Sequence, residues 1–298
     1  MTLRPRGPGR RPQPVRATMR RSIGGTPGRR TRSIRRASAG LSPVRAGAIL
    51  AMVVTAAATY GVAQATTFEY TDTVIEGATY TDPAAVQAVL DGVKGTNLFA
   101  LVTRPLEASV RTLPTVRSVD VSARLPGTVV VRLRERTPIL VWRIGARRYL
   151  VDSEGRLFAK LPDTPSDATA SLPVIEDRRA AMVDLVVGSS LDRVDLDAAT
   201  RLGSLVPADV GSAAEELQVF ISDENGFTVR TKPPSWQAVF GFYTPTLRTP
   251  ELVPGQVRLL RSLLIGREPL VDKIILASET DGTFIPKPTP TPSATPTP

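Results

Sequence analysis

The sequence predicts an α+β protein: a basic disordered tail and one transmembrane helix, then a β-α-α-β-β module followed by a mixed β-sheet region with a few helices. Three observations predict it. The charge is lopsided, an uncharged stretch of helix length follows the charged one, and beyond that helical spacing gives way to a two-residue period and repeated turn signals.

Residues 1–45 carry 13 Arg and no Lys, Asp or Glu, whereas the other 253 residues hold 25 basic and 28 acidic side chains. The net charge of +10 therefore sits in one tail, which is not how a uniformly basic nucleic-acid binder is built, so no specific nucleic acid is expected. Rich in Arg, Pro, Gly and Ser, this tail cannot bury enough surface to offset chain entropy, and disorder is expected. Residues 46–65 contain no charge, and twenty residues of helix span about 30 Å, the thickness of a bilayer core. Ala46 and Ala65 bound the segment, Ile49, Leu50, Met52, Val53 and Val54 give its apolar weight, and Tyr60 lies near the far interface. A buried helix of a soluble protein would show a polar stripe, which is missing here. Ala63-Gln64-Ala65 resembles a leader cleavage site, but a charged leader of 45 residues is very long, which favours a retained anchor. Positive charge stays cytoplasmic, and the first basic residue after the span is Lys94; the amino end is expected inside and the rest outside. Loose attraction of the tail to anionic lipid heads follows.

Aromatic and β-branched residues at 68–75, ending at Gly77, predict a strand and turn. Asp82-Pro83 supplies an N-cap and a proline at the first helical position, and Val86, Val89, Leu90 and Val93 follow at helical spacing up to Gly95. Thr103-Arg104-Pro105 opens a second helix with Leu106, Val110 and Leu113 on one stripe, stopped by Pro114. Val119, Val121, Ala123 and Leu125 then alternate with Ser118, Asp120, Ser122 and Arg124, and Pro126-Gly127 turns the chain. In the answering strand Val129, Val131 and Leu133 share one face, and Arg132, Arg134 and Arg136 the other.

The next region reads as a meander over 139–144, 149–151 and 156–158, with turns at Gly145-Ala146 and Asp152-Ser153-Glu154-Gly155. Residues 160–171 fade into Pro, Asp, Ser and Thr, a loop. Residues 191–206 suit a helix capped by Asp195 or Asp197. Three strands follow at 217–221, 226–231 and 236–242, then a short helix at 257–265 and a last strand at 271–278. Residues 286–298 alternate Pro with Thr or Ser and predict an extended rod without a core. The implied divisions are a tail at 1–45, a span at 46–65, the first module at 67–136, a β domain at 137–285 and a second tail at 286–298.

Catalysis has little to work with. The absence of Cys and His excludes thiol nucleophiles, disulfides, imidazole bases and Cys/His metal sites. Gly92-Val93-Lys94-Gly95-Thr96 holds phosphate-loop residue types in the wrong order. Asp192, Asp195 and Asp197 lack the Gly and distal Glu of a calcium loop. Ser189-Ser190 has no partner base, and Lys232 precedes Pro-Pro at a strand end. No enzyme, cofactor or metal is expected. A sheet ending in an uncovered strand does offer a row of free N–H and C=O groups that an extended peptide can complete. Val271, Asp272, Lys273, Ile274, Ile275, Leu276, Ala277 and Ser278 form the last expected strand, which either leaves one edge open or pairs on both sides.

The phrases VIEGATYTDPAAVQAVL, GTNLF, LPTVRSVDVSARLPGTVVVRLRERTPILVW and YLVDSEGRLF, in this order behind a basic tail and a single span, resemble the FtsQ/DivIB family of bacterial cell-division proteins. The β-α-α-β-β module is similar to a POTRA domain, a polypeptide-docking fold. The resemblance implies a non-enzymatic scaffold of the division machinery at the cell membrane, expected at the septum. The partners it implies are FtsB/DivIC-like and FtsL-like coiled-coil proteins and septal wall-synthesis proteins. It also implies that a partner segment adds to the last strand of the β region near the neighbouring helix, which here means residues 271–278 together with Val257, Leu260, Arg261 and Leu264. Two rival readings are a POTRA-bearing membrane protein that docks exported polypeptides, and a wall-facing hydrolase using a Ser/Lys or carboxylate pair.

Overall fold

A computed structural model describes residues 42–63, 65–161, 164 and 166–288. The expected disordered tail, apart from its last four residues, and the Pro/Thr-rich end from 289 onward lie outside the described residues. Helix α1 runs over Pro43–Ala63, opened by Ser42, whose carbonyl accepts from the Ala46 amide, with Pro43 at the first helical position. It begins three residues ahead of the expected span, and Ala65 falls beyond its end. Ile49, Leu50, Met52, Val53, Val54 and Tyr60 are all at least half exposed along it. Pro43–Val62 is long and apolar enough to cross a membrane, by length and composition.

The first module is β1 (Asp72–Glu76), α2 (Pro83–Leu90), α3 (Thr103–Val110), β2 (Val116–Arg124) and β3 (Thr128–Glu135). Its sheet has the order β1-β3-β2, with β1 parallel to β3 and β2 antiparallel to it. Asp82 caps α2 by accepting from the Ala84 amide, as the Asp-Pro pair predicts. Val86, Leu90, Leu106 and Val110 from the helices bury against Val119, Val121, Val129, Val131 and Leu133 from the sheet. Each such side chain taken fully out of water contributes roughly 1.5–3 kcal/mol. β1 starts later than Phe68, because residues 66–68 make a single 3-10 turn. Gly77 must be glycine: its φ is +82°, and a Cβ there would lie 2.4 Å from the Leu133 carbonyl oxygen. The Glu135 carboxylate accepts from the amides of Thr79, Tyr80 and Thr81 and so ties the β1–α2 loop to the end of β3.

Beyond it come β4 (Leu140–Ile144), β5 (Arg147–Val151), β6 (Leu157–Lys160), the single turn α4 (Asp167–Ala170), β7 (Val174–Asp177), α5 (Arg193–Gly203), β8 (Glu216–Ser222), β9 (Gly226–Lys232), β10 (Gln237–Gly241), α6 (Val253–Leu264), β11 (Val271–Leu276) and β12 (Gly282–Pro286). Among the described residues these strands form one nine-stranded sheet in the order β12-β11-β10-β9-β8-β7-β4-β5-β6. The sheet is mixed, and the α+β expectation holds. Helices α5 and α6 supply Leu196, Ala199, Leu202, Leu260 and Leu264 to a core with Trp142, Ile175, Phe227, Phe240 and Ile274. At β4–β6 the opposite face is buried too, by Phe158, Leu150 and Val141 with Tyr80 of the first module. The Tyr80 and Phe158 rings meet edge-on at 5.6 Å.

Two further differences from expectation have physical causes. α5 is capped by Asp192, which accepts from the Val194 amide; Asp195 instead pairs with Arg179 at 2.8 Å, and Asp197 with Arg201. Arg136 does not join Arg132 and Arg134 on the solvated face. β3 ends at Glu135, alternation ends with it, and the Arg136 side chain, 13% exposed, turns to Asp152 and Glu154 of the β5–β6 turn.

Candidate partner-docking edge

Strand β11 is not the last strand. It pairs in parallel with β10, Ala238 facing Ile274, and antiparallel with β12, Phe284 facing Ile274. The Ala277 and Ser278 amides both donate to the Asp281 carbonyl, while the Ser278 hydroxyl accepts from the Thr280 and Asp281 amides. That tight turn returns the chain, so β11 pairs on both sides, the second of the two arrangements the sequence allows. Val271, Ile274 and Leu276 are buried in the core, Lys273 and Ser278 are half-buried, and Asp272, Ile275 and Ala277 are exposed. On α6, Leu260 and Leu264 are buried and Val257 half-buried. Exposed Arg261 donates to the carbonyls of Ala208 and Asp209. Of the expected docking residues, these helical ones hold the fold together.

The open edge is β12. The Lys287 amide donates inward to the Leu270 carbonyl, and the Asp281 carbonyl accepts inward from Ala277. By the two-residue alternation Thr283 and Ile285 also bond inward, so the backbone groups of Gly282 and Phe284 and the Pro286 carbonyl point out. Proline is tolerated at 286 because the missing N–H would have faced solvent. Thr283 and Ile285 are exposed, whereas Phe284 packs on the core. Other edges are guarded. β6 is covered by residues 188–191, with the Leu157 amide donating to the Ser189 carbonyl and the Leu191 amide to that of Gly155. β2 carries exposed Arg117, Asp120 and Arg124, and the Glu107 carboxylate reaches its Val121 amide; β1 ends in Asp72 and Glu76. Charged side chains discourage strand addition. Residues 282–286 carry none.

Two polar nodes hold this edge at its ends. At one, parallel β10 and β11 finish side by side, leaving the Phe240 and Leu276 carbonyls without ladder partners. Arg248 donates to both, at 2.6 and 2.7 Å, and fully buried Gln256 donates to Leu276 at 3.2 Å while accepting from the Tyr243 hydroxyl. Burial pushes the Tyr243 phenol up, against a smaller opposing effect of Arg248, and so keeps it a neutral donor. At the other end Glu268 accepts from the Ser212 hydroxyl, the Ala213 amide at 2.9 Å and the Trp236 indole at 2.8 Å. Burial alone would raise its pKa, but those three donors and the charge of Lys287 hold it below the ordinary carboxylate range. Glu268 and Lys287 line a shallow cleft of about 500 Å³, with Ala213, Pro233, Ser235 and Pro269, directly beyond the end of β12.

None of Arg248, Gln256 or Glu268 stands out in the sequence as a functional residue. The one available signal is Gln256, a polar residue on the apolar stripe shared by Val253, Leu260 and Leu264. The catalytic candidates are otherwise engaged: Lys232 pairs with Glu216 at 3.0 Å, the Ser189 hydroxyl accepts from the Val186 amide, and the three aspartates serve the cap and ion pairs above. Among the described residues no three acidic side chains converge on a point that suits a metal ion.

Residues 71–136 match the family model described as POTRA domain, FtsQ-type. A cell division protein FtsQ of Rickettsia bellii is 33% identical over 93 residues, covering 31% of this chain and 35% of that protein. The POTRA module of this chain is of the FtsQ type. An FtsQ of Corynebacterium glutamicum is 37% identical over 82 residues, 28% of this chain and 37% of its own length. The longest of these three alignments is with the Streptomyces coelicolor FtsQ, 30% identical over 155 residues, half of this chain and 56% of that one. The chain thus spans between about a third and a little over half of the length of the FtsQ relatives it matches.

Proposed function

We propose that the chain is a non-catalytic, membrane-anchored scaffold of bacterial cell division. In this reading the amino-terminal tail is cytoplasmic, α1 crosses the membrane, and the POTRA domain and the nine-stranded sheet stand outside. Domain boundaries near 66, 136 and 285 complete this reading, and the two separate sheets support it. Division partners of the FtsB/DivIC and FtsL kind, and septal wall-synthesis proteins, are gathered by the extracytoplasmic part. One partner segment adds as a strand to β12, not to residues 271–278 as expected from sequence. The observation that carries the reading is an FtsQ-type POTRA match followed by a sheet whose one uncharged edge is its last strand. An extended peptide satisfies the outward groups of Gly282, Phe284 and Pro286, and the exposed side chains of Thr283 and Ile285 contribute specificity.

A photocrosslinking residue at Thr283 or Ile285 in dividing cells tests this, with buried Ile274 as the control. Covalent adducts with a small membrane-anchored division protein are expected from the two edge positions. Adduct yields there no higher than from Ile274, or capture of exported polypeptides in place of division proteins, would remove the proposal.

A further inference from the structure

The loop joining α2 to α3, residues 97–102, projects apolar side chains that no core covers. Leu98 is buried, but Phe99 is 56% and Val102 66% exposed, with Ala100 exposed between them. The loop is pinned at one place. The Asn97 side-chain amide donates to the carbonyls of Val62 at 3.4 Å and Ala65 at 3.2 Å, where α1 runs out of intrahelical donors. The Leu98 amide donates to the Phe68 carbonyl at 2.8 Å, and the Phe68 and Phe99 rings meet edge-on at 5.2 Å. An apolar loop is therefore fastened to the end of the one helix, among the described residues, suited to crossing a membrane.

Its depth follows from lengths. The segment Pro43–Val62 is 20 residues, so it rises about 30 Å and fills the hydrocarbon layer, leaving Val62 at its boundary. The headgroup zone continues roughly 5–7 Å beyond that boundary. Asn97 touches the Val62 carbonyl, and the two residues from Asn97 to Phe99 reach at most about 7 Å. That reach, added to the Asn97 side chain and its 3.4 Å hydrogen bond, brackets Phe99 to the headgroup zone or its outer margin. We propose that Phe68, Phe99 and Val102 make a second contact with the bilayer, seating the loop among the lipid headgroups beside the exit of α1. Exposed Lys94 and Arg104 flank the loop and form no ion pair among the described residues, so both are free for lipid phosphates. Glu69 and Asp91 lie nearby and offset that charge, which leaves apolar and aromatic burial as the main drive. The contact fixes the height and tilt of the POTRA domain over the membrane, which a single flexible tether would not do. This inference rests on the reading of α1 as a membrane span.

The chain has no Cys, so one introduced Cys carries a unique spin label. Full-length protein is reconstituted in phosphatidylcholine–phosphatidylglycerol vesicles with labels at Phe99→Cys, Ala100→Cys or Val102→Cys. Val54→Cys marks the span, and Leu247→Cys, at a residue 93% exposed, marks water. Power saturation compares collisions with oxygen and with a water-soluble nickel chelate. Labels at 100 and 102 are expected to be shielded from the chelate several-fold relative to 247 and to read shallower than 54. Ala100→Cys and Val102→Cys replace exposed side chains, so the result does not depend on losing the Phe99 ring. Loop labels as open to the chelate as 247, with 54 still deep, would defeat the loop contact and leave the span standing. A label at 54 that is open to the chelate would defeat both.

Discussion

Glu268 concentrates in one side chain what keeps the β11–β12 end of the sheet in place. Its carboxylate joins the loop at 212–213, the Trp236 indole ahead of β10 and, through charge, Lys287 just past β12. Hydrogen bonds to an ionised group contribute about 1.5–3 kcal/mol each, net of the hydration they replace. In Glu268→Gln the amide still accepts, but its NH₂ faces donors, and we expect a loss of about 2 kcal/mol in urea unfolding of the full chain in detergent. Trp236 emission reports the same node directly. The sign with pH is set by the lowered pKa. The stabilisation is complete above the ordinary Glu value of 4.5 and disappears as pH falls through the lower folded-state value. The gap between wild type and Glu268→Gln should therefore narrow on acidification below that value. A gap that stays constant with pH would show that ionised Glu268 is not what the fold uses.

At the scale of elements, the join between the POTRA domain and the larger sheet depends on one residue past the end of a strand. Arg136 pairs with Asp152, whose side chain is 6% exposed, and with Glu154, which Arg117 also approaches at 3.7 Å. Removing one partner of a buried pair strands the other; here the Glu154 and Arg156 amides still serve Asp152, so Arg136→Met should cost about 3 kcal/mol, the low end of that range. Asp152→Asn in the same chain should recover part of that. A loss under about 0.5 kcal/mol, typical of surface changes, would mean that the junction does not depend on the Arg136 pair. Arg136 was legible as a charge in a period-two run but not as a junction, because alternation describes a strand and says nothing after its end. The β-α-α-β-β module was readable because Asp82-Pro83, the two apolar stripes and the Val-rich hairpin each state a local preference that the fold keeps. Strands β7 and β12 were not. β7 is four residues long and ends in Glu176 and Asp177, whose charges are met by Arg143 of β4 and by Arg178 and Arg179 just past the strand. β12 is five residues between a glycine and a proline. Whether a strand is interior or edge depends on its neighbours, and read from sequence the sheet ended one strand too early.

Over the whole molecule, the orientation proposed above rests on charge and span together. Thirteen Arg precede the uncharged segment, and beyond it Glu69, Asp72, Glu76, Asp82 and Asp91 all come before the first base, Lys94. Positive residues within about 15–20 positions of a span hold their side in the cytoplasm, whereas acidic residues have little influence, so the contrast points one way. The part that follows α1 carries the uncharged β12 edge, which serves an extracytoplasmic partner only if this orientation holds. The lack of Cys makes the orientation measurable with two single-Cys chains, Ser38→Cys before the span and Leu247→Cys on the sheet unit. A membrane-impermeant maleimide added to intact spheroplasts should modify Leu247→Cys and leave Ser38→Cys untouched until detergent opens the membrane. The reverse pattern would put the sheet in the cytoplasm. Modification of both would mean that α1 does not hold the chain across a sealed bilayer, and the β12 edge would then have to meet its partner on the same side as the arginine tail.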